Sequence, residues 1–188
     1  MLQRDRFVRI LVLATCLAAE SGCAVFLGNV KPIDQKSTSY GIEDLSQTDP
    51  NWMKLDLGTT AGQKDAAAST ELPDVAFQSK KTASIISLDS ACRGDVDEAH
   101  RSLRTLTDRL FFGISDIQSR NEKNLTLEGL PALKTTLTGR VNHDRMTLSS
   151  VVLRHGTCTY DLMLVARPGA YEQDQPVFER FVNSMRLK

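Results

Sequence analysis

Residues 130–166 read LPALKTTLTGRVNHDRMTLSSVVLRHGTCTYDLMLVA, and this stretch decides the fold. In Leu130–Val141 the odd positions Leu133, Leu137 and Val141 are apolar, and the even positions Lys134, Thr136, Thr138 and Arg140 are polar. Strict alternation of this kind is the mark of a half-buried antiparallel strand. Gly139 within it predicts a bulge or a close backbone approach. Asn142-His143-Asp144 is a turn, after which Met146, Leu148 and Val152 continue an inward face. His155-Gly156 turns the chain again, and Cys158, Tyr160, Leu162 and Leu164 line the last strand. Three strands in succession, joined by tight turns, make an antiparallel meander.

Upstream, Val75–Phe77 is a short strand, and Thr82–Cys92 alternates, with Ile86, Leu88 and Cys92 on one face. Asp95 is a plausible N-cap for a helix whose stripe is Val96, Ala99, Leu103, Leu106 and Leu110, with Gly113 at its end. Ile114–Ser119 is a weak strand, and Asn121-Glu122-Lys123-Asn124 reads as a turn. Downstream, Pro168-Gly169 breaks the last strand. Pro176 suits the first position of a closing helix with the stripe Val177, Phe178, Phe181, Val182 and Met185. Helices segregated from an antiparallel sheet predict an α+β sandwich. Trp52–Leu57 alternates as an edge strand, and residues 58–72 have no apolar period.

The N-terminus carries a different message. Arg4, Arg6 and Arg9 precede an apolar run, Ile10–Ala19, of 10 residues. A spanning helix needs about 20. A basic start, a short apolar core and small residues after it form an export signal over residues 1–22. Gly22 and Ser21 before Cys23 fit a lipoprotein signal, in which Cys23 carries the lipid; Glu20 departs from the apolar residue usual there. Ordinary cleavage near Ala19–Ser21 is the alternative. Ala24, rather than Asp, after Cys23 suggests the outer membrane. Residues 23–50 are polar and rich in Pro, Ser, Asp and Gln, and read as a tether; residues 51–188 form one globular domain.

The chain has 23 basic and 23 acidic residues. Loss of residues 1–22 removes three arginines and two acids and leaves a charge near −1. No basic stripe exists, which disfavours nucleic acid, and no polybasic cluster exists to hold a membrane by charge. Attachment therefore falls to lipid, whose multiple acyl chains suffice. After Cys23 only Cys92 and Cys158 remain. Two cysteines in an exported domain read as one disulfide, with two free buried thiols as the alternative. A bridge requires the end of one strand and the start of another to lie within about 7 Å, Cα to Cα.

The C-terminal half resembles the PsbP-like α/β/α sandwich, also found in small bacterial lipoproteins. The resemblance rests on Leu130-Pro131-Ala132-Leu133-Lys134, on the meander through Tyr160-Asp161-Leu162, and on the ending from Phe178 to Leu187; it covers residues 73–188. Met185 stands where Phe is more usual. It implies an interaction module within larger assemblies and brings no catalytic signature with it.

Residues for chemistry are sparse. His100 sits beside the polar side of a helix, His143 in a turn, and His155 three before Cys158. No nucleophile elbow, phosphate loop, zinc-protease motif or calcium loop appears. Tyr160 reads as core and Asp161 as a solvated or helix-capping acid. The expectation is a non-enzymatic envelope lipoprotein presenting an interaction domain in the periplasm, with no catalytic residues, metal or cofactor and an unidentified envelope protein as partner. The alternative is a periplasmic binding module for a small apolar or lipid ligand, lined by Phe111, Phe112, Phe178 and Phe181.

Overall fold

Three tight hairpins build the centre of the molecule, seen in a computed structural model that describes residues 40–57, 73–92 and 101–188. Strands β5 (Ser115–Leu127), β6 (Leu130–Val141), β7 (Asp144–His155) and β8 (Cys158–Ala166) follow one another with two-residue turns between them. Each turn carries residues in the left-handed region: Glu128 and Gly129 (φ 52° and 77°), Asn142 and His143 (48° and 77°), and Gly156 (60°). Positive φ at such positions matches the twist of the flanking strands.

Upstream come β1 (Tyr40–Gly41), α1 (Leu45–Thr48), β2 (Trp52–Lys54), β3 (Val75–Ser79), β4 (Ile85–Cys92) and α2 (Leu103–Leu110). The chain closes with α3 (Pro168–Asn183) and β9 (Arg186–Leu187). The main sheet has seven strands in the order β2-β3-β4-β8-β7-β6-β5, every neighbour antiparallel, and β1 pairs with β9 in a second small sheet. The α+β class and the α/β/α layering follow, because α3 covers one face of the sheet and α2 the other.

The α3 face holds the large core. Phe77, Ile86, Leu88, Leu162, Leu164, Phe178, Phe181 and Met185 are all fully buried there. Phe77 and Phe181 meet edge to face, with ring centres 5.9 Å apart. The α2 face holds a smaller cluster of Phe111, Leu137 and Leu148, with Met146, Met163 and Val165 beside it. The alternation in β6 therefore does not separate core from solvent. Lys134 and Thr136 lie on the α3 face, where Lys134 pairs with Glu179 and Thr136 lies within hydrogen-bonding distance of Ser149 and the Tyr171 hydroxyl.

Four expectations change. First, Tyr40–Pro50 belongs to the fold and not to a tether: Leu45 is fully buried, the Tyr40 ring packs edge-on against Tyr160, and the Tyr40 hydroxyl donates to Asp74 at 3.1 Å. Elements of two and four residues are too short to show a period, so their polar sequence hid them. Second, Asn121–Asn124 is not a turn but the middle of β5, and the turn lies at Glu128-Gly129. Third, the closing helix starts at Pro168, where a missing N–H costs nothing, and Pro176 lies inside it. Pro176 and Glu172, whose carbonyl loses its donor, are both exposed, so the lost bond falls on the solvent side. Fourth, Asp161 is not a solvated or capping acid; its carboxyl lies between covered strands.

The signal over residues 1–22, the lipid site Cys23, the stretch to residue 39, the loop over residues 58–72 and the helical start with Asp95, Val96, Ala99 and His100 lie outside the described residues. Within them α2 is capped by Ser102, whose Oγ accepts from the Thr105 N–H at 3.1 Å.

Candidate functional site

The side of the molecule built by α2 and β5 differs from the rest in what it leaves exposed. Leu106 and Thr107 of α2 turn toward the sheet, and Phe111 caps the small cluster beneath. The chain then reverses at Gly113 (φ 86°), and Phe112 is left 93% exposed. Ile117, five residues on, is 52% exposed. Both fall in the segment that leaves α2 and opens β5.

β5 is an edge strand of 13 residues, and ten of its residues in succession, Ser115–Asn124, are exposed. Its register against β6 is regular from Ser119 to Leu127 and shifts between Ser115 and Ser119. Gly139 is the reason the shift fits. A Cβ there would stand 2.7 Å from Ile114 Cγ2 and 2.9 Å from the Ser115 carbonyl oxygen. The expected close approach is therefore real, and the irregularity falls on the partner strand. A small charged network ties β5 to α2: Arg120 to Asp108 at 2.5 Å, Arg120 to Glu122 at 2.7 Å, and Arg104 to Glu122 at 3.8 Å. The Arg120 guanidinium also lies 5.9 Å from the Phe111 ring centre. Exposed pairs of this kind contribute little to stability, so the network serves mainly to fix direction.

Beneath α2 the sheet carries an unusual row of polar groups. Thr135 stands opposite Ser150, Val152 stands opposite Asp161, and Asp161 stands opposite Asp89. By strand alternation Thr135, Ser150, Asp161 and Asp89 share the α2 face. Among the described residues Thr135 Oγ1, Ser150 Oγ and Asp161 Oδ1 are buried without a hydrogen-bond partner. Burial, and secondarily the Asp89 charge, push the Asp161 carboxyl up to about 7. Such a group holds a proton near neutral pH. Among the described residues no three metal-binding side chains cluster.

Cys92 and Cys158 stand opposite each other at the rim of the β4–β8 ladder and are joined by a disulfide, with Cα atoms 3.9 Å apart. The bond occupies the thiol beside His155. His155 is exposed and pairs with Cys158 across the turn, and His143 sits in the Asn142-His143 turn, so the two serve turns. The four phenylalanines proposed to line one pocket do not converge. Phe178 and Phe181 are buried on the α3 face, Phe111 packs on the opposite face, and Phe112 points to solvent.

No family profile matches the chain, and no curated protein matches it in sequence. Solved structures do share its fold. The chain is similar to LpqN, involved in cell envelope biogenesis of Mycobacterium tuberculosis, with a TM-score of 0.58 and 13% identity over 82% of this chain and 86% of that one. It is also similar to the cyanobacterial PsbP of Synechocystis, with a TM-score of 0.48 and 12% identity over 86% of this chain and 96% of that one. A protein of unknown function from Pseudomonas aeruginosa matches with a TM-score of 0.44 and 16% identity, over 73% of this chain and 82% of that one. At these identities the likeness is one of fold.

Proposed function

We propose that the chain is a non-enzymatic lipoprotein of the cell envelope, anchored through lipid on Cys23 in the outer membrane, whose α+β domain faces the periplasm and docks another envelope protein as an accessory part of a complex. The observation that carries this reading is the α2–β5 corner, where exposed Phe112 and Ile117 adjoin an exposed edge strand. Exposed apolar side chains grouped at one corner suit a partner that fills a shallow apolar contact. The Cys92–Cys158 disulfide suits an oxidising compartment. No helix among the described residues is long and apolar enough to cross a membrane, so the lipid is the proposed means of attachment. The setting of LpqN agrees with this reading.

A photoreactive residue placed at Ile117 in living cells tests the docking. The expected outcome is an adduct with another envelope protein from position 117 and none from Glu172, an exposed position on α3. Equal labelling from both positions, or none, contradicts it. The anchor is tested separately by the intact mass of the membrane-extracted protein, where diacylglycerol on a chain starting at Cys23 is the expected result and an unmodified chain refutes it.

A further inference from the structure

An unpaired strand edge invites pairing with another chain, and proteins that avoid this shorten, bend or cover the edge. Over Ser119–Leu127 β5 is neither short nor bent, and no described residue covers it; its guards are the charges of Arg120, Glu122 and Lys123, which oppose pairing only in registers that set like charges together. The phase of its hydrogen bonds follows from the hairpin. A two-residue turn makes the flanking pair, Leu127 and Leu130, exchange both bonds, and bonded pairs then recur every second residue. The odd-numbered residues of β5 therefore bond inward to β6. The N–H and C=O groups of Arg120, Glu122, Asn124 and Thr126 face outward.

That phase limits how two copies of β5 can pair antiparallel about a twofold axis: even residues must face even residues. A centre at Arg120 sets arginine against arginine, a centre at Glu122 sets glutamate against glutamate, and a centre at Lys123 sets lysine against lysine. Like charges directly opposite destabilise a sheet. A centre at Asn121 does the reverse. It sets Arg120 opposite Glu122 twice over, Ser119 opposite Lys123, and the two Asn121 amides opposite each other.

We propose that β5 pairs with β5 of a second copy of this chain, antiparallel about Asn121, joining two seven-stranded sheets into one. This goes beyond the proposed envelope partner, which takes the apolar corner at Phe112 and Ile117, and gives the strand edge beside it a second occupant. The contact is isologous, so it closes on itself and makes a dimer, not a fibre.

The full-length protein in its membrane, carrying Asn121→Cys, tests the register. At the twofold the two Cα atoms lie about 4.5 Å apart, the spacing of a non-hydrogen-bonded pair, within disulfide range. Lys123→Cys is the control. Its two copies are displaced by four residues, roughly 13 Å, beyond any disulfide. The expected result is a reducible dimer with Asn121→Cys and none with Lys123→Cys. Adding Arg120→Glu abolishes the dimer, and Arg120→Glu with Glu122→Arg restores it. No dimer with Asn121→Cys, an equal dimer from both positions, or indifference to Arg120→Glu overturns the proposal. Failure here with adducts to another envelope protein still forming at Ile117 refutes the self-pairing alone. The dimer without such adducts refutes instead the partner named under the proposed function.

Discussion

The two faces of the sheet use similar strands to different ends. On the α3 face the core is large and wholly apolar at its centre, and several of its polar groups are paired: Thr82 donates to Asp174 at 2.5 Å, Lys134 meets Glu179, Thr136 meets Ser149, and Asp74 Oδ2 accepts from Tyr40 and Ser90 while its Oδ1 makes no hydrogen bond among the described residues. On the α2 face three buried hydrophobic residues form the cluster, and three buried oxygens have no hydrogen-bond partner among the described residues. A buried polar atom left unsatisfied costs about 1–3 kcal/mol, whereas a hydrogen-bonded pair contributes about 0.5–1.5 kcal/mol. The α3 side therefore holds the fold together. The α2–β5 side is the less stable one, and regions that bind are commonly drawn from that end of the stability range.

The largest effect separates the faces directly. Phe181→Ala should cost about 3–5 kcal/mol, by loss of a fully buried ring between α3 and β3. Phe111→Ala should cost clearly less, since its cluster has only three buried members. Urea unfolding of the two variants decides, and equal losses break the comparison. Reduction of the Cys92–Cys158 bond comes next. Its 66-residue separation predicts a loss of about 2–4 kcal/mol, read as a lower midpoint in reductant.

A smaller effect depends on pH. The Asp161 carboxyl is raised in the folded protein, to about 7 from an ordinary 3.8. Between those values the folded state holds a proton that the unfolded state has lost. The contribution of Asp161 is then fully present below pH 3.8 and is lost as pH rises through 7. Stability measured at pH 8 should therefore gain from Asp161→Asn, and the fall in stability between pH 5 and pH 8 should become shallower. An unchanged slope would place the titration elsewhere. The smallest effect is at the corner itself: Ile117→Ser should change stability by no more than about 0.5 kcal/mol.

The meander was legible because Leu133, Leu137 and Val141 recur at even intervals of four with polar residues between, and because Asn142-His143 and His155-Gly156 are turn-forming pairs. The disulfide was legible for a simpler reason, since Cys92 and Cys158 had no other partner in the domain. β5 was misread because an exposed edge strand selects no apolar period, and Asn121 and Asn124 then resemble a turn. The Gly129 beside Glu128 was the signal that would have placed the turn correctly. Asp161 was misread because alternation was taken to mean one wet face. Both faces of β8 are covered, a fact that depends on where β4 and β7 pair and not on β8 itself. The candidate surface was not legible: Phe112 read as the lining of a pocket and Ile117 as part of a weak strand, and nothing local separates exposed Phe112 from buried Phe111.

The most direct test of the account joins stability to docking in one variant. Phe112→Ser, in cells carrying the photoreactive residue at position 117, should abolish the adduct with the envelope partner while the purified protein melts as the wild type does. An adduct of undiminished yield from a normally folded Phe112→Ser protein would contradict the claim that the α2–β5 corner is where this molecule meets its partner.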